Sequence, residues 1–127
     1  MYLTSITDFT GRFHPALVHL PIGILLIGCL FHLFSFDKKF VKATILWGMI
    51  SAIFSVITGY ALSLSGDYEA SLVNKHQWLG ISTAVISIIM YLMLKGNIKT
   101  GITKTTALLL LFLTGITGHL GGSLTHG

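Results

Sequence analysis

The sequence predicts an all-α integral membrane protein: a four-helix bundle with up-down-up-down topology and both termini on the outer, periplasmic side. The first observation behind this prediction is that only 9% of the 127 residues are charged and 53% are hydrophobic, whereas a typical soluble domain has about 25% charged residues. The second is that the apolar residues fall into four blocks of membrane-spanning length. These observations exclude a soluble enzyme, and the length predicts a single membrane domain over residues 1–127.

The four blocks contain no Asp, Glu, Lys or Arg and occupy residues 16–36, 43–66, 76–94 and 105–122. Because about 20 residues of helix cross the hydrocarbon core, we predict helices at about 15–36, 43–64, 76–95 and 103–121. An open strand is excluded because it leaves backbone groups unpaired in lipid. The leader lacks the basic start and the small-residue cleavage site of a signal peptide, so we expect it to be a tether.

The lysines indicate the orientation of the helices. They are concentrated in the first and third predicted loops, as Lys38, Lys39, Lys42, Lys95, Lys99 and Lys104. Positive residues in short loops stay on the cytoplasmic side, so we expect a multi-pass protein of the bacterial inner membrane. The net charge of +4 follows from this rule, and we expect contact with the lipid bilayer and no nucleic-acid partner.

The sequence also contains a weak internal repeat. Residues 57–59 and 116–118 both read Ile-Thr-Gly, and the first and third helices both open with a histidine, His14 and His76. We interpret residues 14–60 and 76–119 as two copies of one helical hairpin. Small residues at helical spacing, such as Gly48, Ala52 and Ser55, are typical of the contact faces between membrane helices.

Histidine is the residue type that is left to carry chemistry. All six histidines except His32 fall on the predicted outer side: His14, His19, His76, His119 and His126. Ionisable residues inside a membrane mark functional sites, and imidazole ligates haem iron, copper and zinc. The alternative is that these side chains reach the interface and bond to water, and we expect His32 to do so on the cytoplasmic side.

We expect one non-covalent b-type haem near the outer face, with His19 and His119 as axial ligands. Both lie on the apolar side of the interface, and His76 or His14 is the alternate ligand. Gly118 and Gly122 leave flat space for the macrocycle. The chain has no Cys-x-x-Cys-His motif for covalent haem attachment. Its lone cysteine, Cys29, excludes an internal disulfide and is expected to be a small buried residue.

Pro21 lies inside the first predicted helix. Because proline has no backbone N–H, it leaves the carbonyl of Leu17 without its helical donor. We expect a kink just past His19 that turns this histidine inward, although proline is also tolerated in membrane helices without such a role.

Two other functions fit the same pattern. One is an outward-facing copper or zinc site made by His19 and His119, with His14, His76 or His126 as further ligands. The other is an accessory subunit that scaffolds a respiratory or transport complex and has no cofactor of its own. No catalytic triad or intramembrane carboxylate pair is present, which favours a redox subunit over a self-sufficient enzyme.

The chain resembles a bacterial family of four-helix membrane domains of unknown function. The resemblance rests on the opening GRFHPALVHLPIG at 11–23, on Thr58-Gly59, on Lys75-His76-Gln77-Trp78, and on the closing TGHLGGSLTHG at 117–127. Members occur beside, or fused to, c-type cytochrome and Rieske iron–sulfur domains. The resemblance implies a redox setting in which a c-type cytochrome, a Rieske protein or another redox subunit is the partner; a homo-oligomer is the alternative.

Overall fold

The structure, a computed structural model, describes the backbone of residues 14–65 and 70–126 and the side chains of residues 17–61, 63–64 and 70–122. This part of the chain forms four helices: α1 (His14–Leu33), α2 (Lys38–Ser65), α3 (Ala70–Lys95) and α4 (Thr100–His126). The all-helical prediction with four helices is confirmed. The predicted leader, residues 66–69 and the side chains of His14 and His126 lie outside the described residues.

Three helices are long and apolar enough to cross a membrane, over Lys38–Ala61, Ala70–Lys95 and Thr100–Gly122. The described apolar part of α1, Leu17–Leu33, is shorter. Much of the helix surface is apolar, with side chains such as Trp47, Phe54 and Phe112 more than half exposed. Apolar surface of this extent suits contact with lipid rather than with water.

The helices form a ring in which α1 and α3 each pack on both α2 and α4. Hence α1 and α3 lie at opposite corners. The first part of α1 lies beside the last part of α2, where Ser55 Oγ donates to the Leu17 carbonyl at 3.1 Å. The end of α1 lies beside the start of α4, where His32 meets Thr103. We call the end formed by residues 34–42 and 95–104 the lysine end, and the end formed by residues 17–22, 55–63, 73–83 and 114–122 the histidine end.

The turns at the lysine end are shorter than predicted. Each helix before them is followed, two residues after its last residue, by a residue with positive φ, Ser35 (60°) or Asn97 (55°). The next amide then bonds back into the helix, Phe36 N to Phe31 O at 2.9 Å and Ile98 to Met93 at 3.1 Å, a common C-terminal cap. Asp37 caps α2 through Oδ1, which accepts from Lys39 N.

The densest packing lies in the half of the bundle nearer the lysine end. Seven residues form one buried cluster: Leu25, Cys29, Val41, Ile45, Met90, Ala107 and Leu110. Cys29 is fully buried there, which confirms its prediction as a small buried residue. The Leu25 side chain of α1 packs directly on Gly48 of α2, where a Cβ would overlap it.

His32 differs from its prediction as a residue of the cytoplasmic interface. It is buried, and its Nε2 lies 2.7 Å from Thr103 Oγ1 of α4. The Thr103 hydroxyl donates its one hydrogen to the Thr100 carbonyl at 3.0 Å, so the imidazole must be the donor in the bond to Thr103. Because the Thr103 hydroxyl accepts from His32, this hydrogen bond cross-links α1 and α4, which sequence position alone does not reveal.

Candidate functional site

A cavity of about 760 Å³ lies between the four helices at the histidine end. Its volume falls within the roughly 300–1,000 Å³ that is typical of small-molecule and cofactor sites. Every helix contributes side chains to its wall, and most of the wall is apolar. The cavity therefore has the size and the lining of a site for a largely apolar ligand.

Small residues keep this half of the bundle open. Gly59, Gly80, Gly118, Gly121 and Gly122 all line the cavity. A Cβ on Gly122 would meet nothing within 4 Å, whereas a Cβ on Gly118 would lie 3.2 Å from Ile22 Cδ1. The glycines of α4 thus present bare backbone to the cavity, in contrast to the Leu and Ile side chains that fill the other half of the bundle.

Two histidines line the cavity, His19 from α1 and His76 from α3. Since α1 and α3 lie at opposite corners of the ring, these imidazoles approach one space from two sides. His19 lines the cavity but is more exposed than an inward-turned histidine would be, and His76 is partly buried.

His76 rests against the backbone of α4. A Cβ on Gly121 would lie 3.0 Å from His76 Cε1, so only glycine at this position lets the ring come so near. The imidazole also donates to the backbone carbonyl of Thr117. A histidine that donates one ring N–H to a backbone carbonyl has a fixed tautomer and a fixed ring orientation, as is common for histidines that ligate metals.

Most of the other polar side chains of the wall bond to the protein itself. Thr83 and Thr117 hydroxyls lie 3.2 Å apart, and Gln77 Nε2 donates to Ser63 Oγ at 3.0 Å. Ser55 donates to the Leu17 carbonyl. These bonds tie neighbouring helices together around the cavity, and the imidazoles are the side chains of the wall best suited to ligate a metal centre.

The remaining candidates from the sequence are distributed as follows. Gly118 and Gly122 line the cavity, as expected for residues that leave room. His119 is exposed and is not among the residues of the cavity wall. Among the described side chains, no three His, Cys, Asp or Glu residues come together in a group that could hold a metal ion; His14 and His126 lie outside that set.

The sequence analysis did not single out Tyr60, Gln77 or Ser63 for the site. Tyr60 is 60% exposed and lines the cavity together with the exposed Ile57 and Ile81, so the wall between α2 and α3 reaches the apolar outer surface. One feature of the sequence could have identified Gln77 as a residue of the cavity wall: it is a polar amide next to His76 within an apolar block. No feature of the sequence could have identified Ser63, because serine is common in membrane helices.

Comparisons of the chain with models of known protein families, with curated proteins and with solved structures return no match.

Proposed function

We propose that this chain is a membrane electron-transfer subunit that binds one non-covalent b-type haem in the cavity at the histidine end. One observation carries the proposal: His19 and His76, from helices at opposite corners of the ring, line the same glycine-walled cavity. Haem iron in membrane cytochromes accepts imidazole ligands. His76 therefore replaces His119, the ligand expected from the sequence, because His119 is not part of the cavity wall.

The residues present fit this group in chemistry and in space. The lining is mostly apolar, as the macrocycle requires, and Gly118, Gly121 and Gly122 provide a wall without side chains. His76 holds its ring against Gly121 of α4, and in this proposal its imidazole is one of the two ligands. When bound, haem supplies one-electron transfer; the chain supplies orientation, a dry wall and two nitrogen donors.

In this proposal all four helices cross the membrane in up-down-up-down order, with both termini outside. Contacts that join the first part of one helix to the last part of its neighbour in sequence support that order, as in the Ser55–Leu17 and Gln77–Ser63 bonds. The six lysines of the lysine end then face the cytoplasm of a bacterial cell, and the cavity faces the outer side.

The redox partner in this proposal lies on the outer side. This partner is a c-type cytochrome or a Rieske protein, as the family resemblance implies. It exchanges electrons with the haem in the cavity, which faces the same side of the membrane. The haem lies far from the lysine end, whose half of the bundle is filled by apolar side chains, so a single copy transfers electrons at one face rather than across the membrane.

Three alanine variants test the ligand assignment through the absorption spectrum of the purified protein. We expect His76→Ala and His19→Ala each to abolish or shift the Soret band, because each removes one axial nitrogen. His119→Ala is the matched control, since it removes an exposed histidine at the same end, and it should keep the wild-type spectrum. Loss of the band in His119→Ala with retention in His76→Ala overturns the assignment.

The same purified protein also tests the two other functions. Copper or zinc at one equivalent, without a Soret band and dependent on His19 and His76, indicates a metal site instead. Co-purification of a membrane complex with neither haem nor metal indicates a scaffolding subunit. Either result contradicts the haem proposal.

A further inference from the structure

A second, smaller pocket lies at the lysine end, far from the histidines of the cavity. Its volume is about 50 Å³, several times the 10–15 Å³ that a single water needs. Its wall combines His32 of α1, Lys38 and Lys42 of α2, and Thr100 and Thr103 of α4. Three helices thus bring polar and basic side chains to one small space.

The inner wall of this pocket is fixed by hydrogen bonds. His32 Nε2 donates to Thr103 Oγ1 at 2.7 Å, and Thr103 donates to the Thr100 carbonyl. Lys104 is directed elsewhere, because its Nζ donates to Ser35 Oγ at 2.9 Å. These bonds set the shape of the pocket and leave Lys38 and Lys42 as its charged groups.

The charge of the pocket is positive and is not balanced within its wall. Lys38 and Lys42 are one helical turn apart, a spacing at which like charges repel. Of the described residues that line the pocket, none is a carboxylate. Asp37, the described carboxylate nearest in sequence, uses Oδ1 to cap α2 at Lys39 N.

Two further features favour an anion. Helix α4 begins at Thr100, which lines the pocket, so the positive end of its helix dipole adds to the lysine charges. Ile98 also lines it and is 45% exposed, so apolar surface adjoins the charged site. Basic pockets between helices on the cytoplasmic side suit phospholipid headgroups.

We propose that this pocket binds a phosphate group, carried either by an anionic phospholipid or by free phosphate. Lys38 and Lys42 bind the phosphate oxygens through charge-assisted hydrogen bonds, and the start of α4 supplies backbone N–H groups. The proposal is independent of haem, because no residue of the cavity at the histidine end takes part in it.

The test measures binding of phosphatidylglycerol to the purified protein by native mass spectrometry, with diacylglycerol as the lipid that lacks phosphate. In Lys38→Gln/Lys42→Gln we expect affinity for phosphatidylglycerol to fall at least about tenfold. The control, Lys39→Gln/Lys99→Gln, removes the same charge from the same end with lysines that do not line the pocket, and its affinity should stay within about twofold of wild type.

A parallel titration with inorganic phosphate, read as a shift in Tm, distinguishes the two sources. Stabilisation by inorganic phosphate that is lost in Lys38→Gln/Lys42→Gln supports a soluble phosphate ligand, and lipid binding with the same dependence supports a headgroup. Equal losses in both double variants, or no loss in either, overturn the proposal. Lys38→Arg/Lys42→Arg retains the charge and should retain binding, which separates a lost site from a misfolded protein.

Discussion

Pro21 removes one hydrogen bond from α1, and Ser55 of α2 replaces it. The carbonyl of Leu17 would accept from the amide of residue 21 in a regular helix, and proline has no N–H to give. Ser55 is buried and its Oγ donates to that carbonyl at 3.1 Å. A backbone group that would be costly to leave unpaired in an apolar environment is satisfied by the neighbouring helix.

We expect Ser55→Ala to lower the free energy of unfolding by about 0.6 kcal/mol and by at most about 1.7 kcal/mol, the range for hydrogen bonds between membrane helices. The control is Ser51→Ala, one turn earlier on α2, because Ser51 bonds to carbonyls of its own helix. Reversible unfolding in detergent micelles measures both variants.

A double-mutant cycle tests the stated cause of this effect. In a Pro21→Ala background the amide of residue 21 returns to the Leu17 carbonyl, so Ser55→Ala should then cost close to nothing. An unchanged cost for Ser55→Ala in that background contradicts the account, since Ser55 would then act by packing rather than by replacing the lost bond.

For single residues, the sequence predicts which backbone hydrogen bond is missing better than it predicts which side chain replaces that bond. Pro21 alone predicts that the Leu17 carbonyl lacks a donor, but the donor comes from a different helix. Likewise, His76 and His119 cannot be separated from sequence, because α4 is a mixture of Gly, Thr and Leu with no strongly polar face. The rotation of α4 puts Gly121 against His76 and leaves His119 exposed.

Between elements, the contact of α1 with α2 depends on a residue without a side chain. A Cβ on Gly48 would overlap Leu25, and a Cβ on Gly28 would lie 2.9 Å from Ile45 Cδ1. Small residues of this kind let membrane helices approach closely enough for backbone and side chains to pack.

We expect Gly48→Ala to destabilise the protein by about 1–3 kcal/mol, the usual cost of overpacking a filled core. Gly101→Ala is the control, since a Cβ there meets nothing within 4 Å, and it should be neutral or slightly stabilising because alanine favours helix. Chemical unfolding of the two variants measures the difference. Equal stabilities for the two variants would mean that α1 and α2 are not in close contact at Gly48.

The apolar blocks predict the number of helices correctly and their ends poorly. Lys38 and Lys39 belong to the first turn of α2, and α3 begins at Ala70 rather than near residue 76. Hydropathy reports where a segment leaves the hydrocarbon, whereas backbone hydrogen bonds continue into the charged flanks until a cap such as Asp37 or Ser35 ends them.

The interpretation of two related hairpins stays a prediction, and one separation in sequence recurs among the described residues. Ser35 and Asn97, the two described non-glycine residues with positive φ, have a certain separation in sequence. The same separation relates Leu25 to Ser87 and Ile45 to Ala107, and these four residues are all buried. His14 and His76 have this same separation. The Ile-Thr-Gly motifs have a different separation, so they are not equivalent positions in the two hairpins.

The whole molecule divides into a filled half and an open half. Leu25, Ile45, Met90 and Leu110 fill the half near the lysine end, and glycines open the other half around His19 and His76. Low charge over the entire chain predicts a membrane protein, but this division depends on which small residues face each other and becomes visible only once the helices are packed.

We expect the histidine end to face the outside of the cell, because the lysines remain in the cytoplasm. Single cysteines at the exposed positions Asn74 and Gly101 test this in a Cys29→Ser background. A thiol reagent that does not cross membranes should label Asn74→Cys in intact cells and Gly101→Cys only after the membrane is opened. The reverse pattern contradicts the proposed orientation.

The visible absorption spectrum of the wild-type protein, purified from its native membrane in mild detergent, tests the central proposal most directly. We expect a Soret band and reduced α and β bands of a b-type haem, with about one haem per chain removable by acidic acetone, because the proposed linkage is not covalent. A pure, folded protein without a Soret band contradicts the proposal that the cavity between His19 and His76 binds haem.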